Sequence, residues 1–130
     1  MPAGEAFSLT QRVSLERAIK SAESQSGLGF SVYVGPLGDD VRARARSLHA
    51  AVPGDTARLV LVAVDVAGRR VEIVTGSQAH LELDDASCGL AALSMTTSFG
   101  AGDLVGGIVD GLTVLAEHAR HPRILHTDQP

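Results

Sequence analysis

Aromatic side chains are nearly missing from this chain, which has no tryptophan, one tyrosine (Tyr33) and three phenylalanines (Phe7, Phe30, Phe99). The core must therefore be aliphatic. Platforms that stack nucleic-acid bases need exposed aromatics along a positive groove. With a formal net charge of −4 the chain offers neither, so nucleic acid is not an expected partner. Cysteine occurs once, as Cys88, which excludes an intrachain disulfide and every multi-cysteine zinc motif and agrees with a reducing compartment. Long apolar runs are missing too. The longest, Leu59-Val60-Leu61-Val62-Ala63-Val64, is far below the ~18 residues that cross a bilayer, and Met1 is followed by no basic region and apolar signal core. The expectation is a soluble, cytoplasmic chain with no intrinsic membrane segment. Lysine occurs once, at Lys20, against ten arginines, a bias of GC-rich coding that says little about function.

What remains is 130 residues, 45% apolar and 20% charged, enough for one domain that buries about two thirds of its surface without disulfide or metal staples. Residues 1–7 lack periodicity and read as a loose arm. Ser8-Leu9-Thr10-Gln11 is a capping box, followed by Leu15, Ala18, Ile19 and Ala22 at the spacing of a helix that stops at Gly27. Phe30-Ser31-Val32-Tyr33-Val34 alternates as a strand, and Gly35-Pro36-Leu37-Gly38 ends it. Val41, Ala45, Leu48 and Val52 predict a second helix closed by Pro53-Gly54. The run from Leu59 to Val64 fits a central strand covered on both faces, and Ala67-Gly68-Arg69 turns it into an antiparallel partner from Arg70 to Thr75. Asp84 or Asp85 caps a helix carrying Cys88, Leu90, Ala91, Leu93 and Met95. After Phe99-Gly100-Ala101-Gly102, Asp103 opens the last helix, whose stripe is Leu104, Ile108, Leu112, Leu115 and Ala119, with Gly106, Gly107 and Gly111 marking close packing.

The order α-β-α-β-β-α-α predicts a small α/β/α sandwich of four helices and a mixed sheet of about three to four strands. If the first two strands are parallel, a right-handed crossover puts the second helix alone on one face. The domain spans residues 8–121, and residues 122–130 read as a polar tail.

Few residues suggest chemistry. Asp84, Asp85 and Asp103 stand at helix starts, where carboxylates cap N–H groups, and with Asp55 and Asp65 beside the central strand they could instead supply oxygens to Ca2+ or Mg2+ if the loops converged. Gly100-Ala101-Gly102 is a weak phosphate cradle, because it follows a helix where the nucleotide fingerprint follows a strand. His118 and His121 near a helix end, with Glu117 and His126, do not have zincin order. His49 and His80 read as isolated surface residues. Cys88 reads as a small buried hydrophobe, not a nucleophile, and Arg42, Arg44 and Arg46 read as a solvated helix face.

The pattern of these segments resembles the TPM domain family, known from thylakoid-lumen phosphatase-type and photosystem II repair proteins and from bacterial envelope proteins. It is most similar to an uncharacterised cytoplasmic branch of that family in high-GC bacteria. The resemblance rests on Ile19-Lys20-Ser21-Ala22-Glu23, the strands 30–34, 59–64 and 71–76, Leu83-Asp84-Asp85-Ala86, and the stretch from Phe99 to Ile108. It spans roughly residues 8–120. It implies an α/β/α sandwich and, for some members, calcium binding or acid phosphatase activity. The family's loop aspartates match Asp55, Asp85 and Asp103, with Asp84 beside them. The family's Asp-Asn-Gly is Asp55-Thr56-Ala57 here, and its aromatic after the last aspartate is Leu104. The chain shows no nucleophile and base pair, so the leading expectation is an accessory or regulatory module, without catalysis, that binds a protein partner or forms a homo-oligomer. The other expectation is a divalent-metal-dependent phosphomonoester hydrolase built on the acidic loops.

Overall fold

A computed structural model describes residues 7–127 of the chain, with side chains through residue 119. Helix α1 (Leu9–Ser26) opens on the expected reciprocal capping box between Ser8 and Gln11 and closes at Gly27, which takes a left-handed φ of 78°. The strand β1 (Gly29–Val34) follows. Helix α2 (Val41–Ala51) is capped by Asp40, whose carboxylate accepts from the Ala43 N–H. A short 3-10 turn (Thr56–Arg58) leads into β2 (Leu59–Asp65), and β3 (Arg70–Thr75) returns beside it. A second 3-10 turn (Ala79–Leu81) precedes α3 (Asp85–Gly100), and α4 (Leu104–Thr127) ends the fold. The long elements match the expected order. The two 3-10 turns are too short to leave a periodic signal in the sequence.

The sheet has the order β1-β2-β3, with β1 parallel and β3 antiparallel to the central strand. Every residue of β2 is buried, as its unbroken apolar run requires of a strand covered on both faces. One face packs Val60, Val62, Val64 and Ile73 against α1, α3 and α4. The other packs Leu61, Ala63 and Val74 beneath Ala45 and Leu48 of α2. This is the expected β-α-β unit, two parallel strands joined through a single helix that covers one face of the sheet. On the three-helix face α4 lies between α1 and α3, α1 sits over β1, and α3 sits over β3.

The glycines of α4 mark the close packing the sequence suggested. A Cβ added at Gly107 would stand 2.8 Å from Phe99 and Ser98, and one at Gly111 would collide with Met95. The last helix runs on past the expected boundary at residue 122 to Thr127, because extending a formed helix costs far less than starting one. Of the expected N-terminal arm, residues 1–6 lie outside the described residues, as do residues 128–130 of the expected tail. No helix among the described residues is long and apolar enough to cross a membrane.

Candidate interaction site

The acidic residues singled out in the sequence act locally. Asp55 accepts from the Ala57 N–H at 3.1 Å, Asp84 from Ser87 at 2.8 Å and Asp103 from Gly106 at 2.9 Å. Each carboxylate serves as a cap on the turn or helix that follows it. The Ser87 backbone N–H and then its hydroxyl hold the Asp84 carboxyl below its ordinary range. Asp85 is the first residue of α3, whereas Asp103 follows its last turn. A helix rising 1.5 Å per residue over that length keeps them about 22 Å apart, whereas ligands of one cation lie within about 2.6 Å of it. Asp55, Asp85 and Asp103 are therefore not brought together as one ligand set for Ca2+ or Mg2+. No group of three or more His, Cys, Asp or Glu among the described residues could hold a metal ion.

Two readings of single residues change. His49 is buried, and its Nε2 donates to the Leu59 carbonyl at 2.9 Å, because α2 crosses the start of β2. Arg42 is not merely solvated. It pairs with Glu72 at 2.6 Å and donates to the Ile73 carbonyl at 3.1 Å, so its guanidinium hangs over the free side of β3. His80 is exposed as expected, with Nδ1 3.3 Å from the Thr75 hydroxyl. The side chains of His121 and His126 lie outside the described ones.

Among the described residues, Asp65 is the buried carboxylate. It is 6% exposed at the end of β2 and accepts from Leu37 N–H at 3.2 Å and Gly68 N–H at 2.9 Å, with Arg70 3.7 Å away. The two backbone donors hold its carboxyl below the usual range against the opposing effect of burial. Its oxygens knit the β1–α2 loop to the β2–β3 turn, which is structural work.

The surface that lacks a structural explanation is at β3 and α3. Gly76 donates to Leu59 and Arg42 donates to Ile73. With the β2–β3 register, this alternation turns Glu72 and Val74 toward β2 and sends the N–H and C=O of Val71, Ile73 and Thr75 outward. A groove of about 410 Å³ runs along this edge, walled by Arg42, Val71, Ile73, Asp85, Gly89 and Ala92. Cys88, only partly buried where the sequence suggested a buried residue, also lines it, and burial together with the neighbouring Asp85 and Asp84 carboxylates pushes its thiol up to about 11, which disfavours the thiolate.

Above the groove, α3 presents Leu90 at 58% and Leu93 at 65% exposure, and Leu81 before the helix is 83% exposed. From Ala86 to Gly102 there is no charged residue. A helix that is apolar all round is normally buried all round, yet this one fully buries only Ala91 and Met95, with Cys88, Ala92 and Phe99 partly buried against the core. Counting apolar positions placed Leu90 and Leu93 on this helix but did not separate its inner from its outer face. The signal that could have found the surface was the long uncharged stretch between Asp85 and Asp103.

Comparison with known proteins supplies a family and a fold. Uncharacterized protein Rv2468c of Mycobacterium tuberculosis is 32% identical over 110 residues, covering 85% of this chain and 65% of its own length. The chain thus spans a little under two thirds of that relative. The NMR structure of BA42 protein from Bizionia argentinensis is similar with a TM-score of 0.77 at 18% identity, covering 87% of this chain and 81% of that one. The N-terminal domain of cg2496 protein from Corynebacterium glutamicum has a TM-score of 0.69 at 17% identity, with 93% and 76% covered. Such identities speak for the fold alone. The family model described as Domain of unknown function (DUF5130) matches residues 1–116, and the chain belongs to that family.

Proposed function

We propose that this chain is a TPM-like accessory module, without catalysis of its own, that works in the cytoplasm by binding another protein through the outer face of α3. The observation that carries this is the uncharged face of a surface helix, with Leu90 and Leu93 more than half exposed. Leaving such side chains in water forgoes roughly 1.5–3 kcal/mol each, and contiguous exposed apolar surface marks contact sites. A metal-dependent phosphohydrolase would draw on Asp55, Asp85 and Asp103 together, and their separation gives that reading no support.

A photo-crosslinking amino acid at position 90, compared in cells with one at the exposed Lys20 of α1, tests the reading. A discrete protein adduct is expected from position 90 alone, and Leu93→Glu should abolish it. Equal adducts from both positions, or none from position 90, would refute it.

A further inference from the structure

Three helices packed 8–10 Å apart span about 16–20 Å between outer axes. Three strands at about 4.8 Å spacing span only about 10 Å. Since α1 sits over β1, α3 sits over β3 and α4 lies between the two helices, these spacings put α3 beyond the free edge of β3 by about 3–5 Å. The place for a fourth strand lies under that overhang, with α3 as its roof and the outward groups of Val71 and Ile73 as its side wall, and the register carries the same free edge on to Thr75. The opposite edge is differently furnished. There Glu23 accepts from the Phe30 N–H at 2.9 Å, and Phe7 lines the same furrow as Val32 and Val34.

We propose that the β3 edge is a strand-addition site that takes one extended peptide segment of a partner protein, with alternating β-branched residues and a basic end lying beside Asp84 and Asp85. This rests on the reading of the chain as a protein-binding module. Backbone groups provide the pairing, as in other strand-addition complexes. Small Gly89 and Ala92 leave room for side chains on the α3 side, and Arg42 swings off the Ile73 carbonyl while keeping Glu72. A second copy adding its own β3 does not fit, because its overhanging α3 would need the space this α3 fills. The two exposed carboxylates at the start of α3 outweigh the roughly half positive charge of the helix terminus, so the segment's end there is basic.

The test is an NMR titration of the whole chain with a synthetic peptide alternating valine and threonine and ending in two lysines. A second peptide ends in two glutamates. Saturable shifts are expected at the amides of Val71, Ile73, Thr75 and Gly89, with the glutamate peptide binding more weakly. Thr75→Pro removes an outward donor without touching the β2 ladder, and should lower affinity about tenfold or more. Gly89→Leu, whose Cβ meets no atom within 4 Å, should fill the groove and block binding while the fold stays intact. Shifts confined elsewhere, or full affinity in a folded Thr75→Pro or Gly89→Leu chain, would overturn the proposal. If the peptides fail while position 90 still crosslinks to a protein, the strand site is wrong and the module reading stands. If both fail, the module reading falls as well.

Discussion

Asp65 shows how one side chain can hold two loops. Its oxygens take the N–H groups of Leu37 and Gly68, and an amide in its place has only one acceptor oxygen for two donors. Asp65→Asn should therefore cost about 1–3 kcal/mol at neutral pH, the penalty of stranding a buried donor. The pH dependence follows from linkage. The folded carboxyl lies below its ordinary 3.8, so above that value the charged form contributes its full stabilisation. As pH falls through 3.8 toward the lower folded value, the native state resists a proton that the unfolded chain accepts, and the contribution drains away. Melting temperatures of wild type and Asp65→Asn should differ most near neutrality and converge in acid. A constant gap down to low pH would mean that the carboxylate's charge contributes nothing.

At the scale of elements, Gly76 marks the crossing where β3 leaves the sheet. A Cβ there would collide with the Thr56 carbonyl and stand 2.5 Å from that of Ala57, and both are backbone atoms that cannot swing aside. Gly76→Ala should cost about 1–3 kcal/mol by overpacking, seen as a lower midpoint in urea with an unchanged slope. By contrast Gly89→Ala meets open space and should gain several tenths of a kcal/mol from helix propensity. The pair separates a steric glycine from a replaceable one.

The sequence made one of these two glycines visible, as the end of a strand, but not the carbonyls it passes. This was the general limit. Capping boxes, the Leu59–Val64 run and the spacing of Leu15, Ala18 and Ala22 are local signals, and they yielded the elements and their order. The roles of His49 and Arg42 depend on where α2 lies across β2 and β3, which no spacing within α2 encodes. The separation of Asp85 from Asp103 could have been read from the length of the helix between them. The exposed face of α3 was hidden because its inner and outer sides are equally apolar, so amphipathicity had nothing to report.

For the whole molecule, the sheet should show two contrasting exchange patterns. The strand β2 is buried along its full length and paired on both sides. Its amides from Val60 to Val64 should therefore exchange only through global unfolding, against the full stability of about 5–15 kcal/mol. On β3, Glu72 and Val74 share that ladder, whereas Val71, Ile73 and Thr75 point their N–H groups away from it, the first two along the groove. Native-state hydrogen exchange should thus alternate along β3, slow at Glu72 and Val74 and fast at the three residues between and beside them. The contrast arises although the side chain of Ile73 is only 7% exposed, because burial of a side chain does not bond the amide behind it. Uniformly slow exchange along the strand would mean that the edge is already covered in solution, and with it the place for an incoming peptide. Adding the lysine-ended peptide to an alternating pattern should slow Val71, Ile73 and Thr75 and leave β2 unchanged, linking the open edge to its occupant in one measurement.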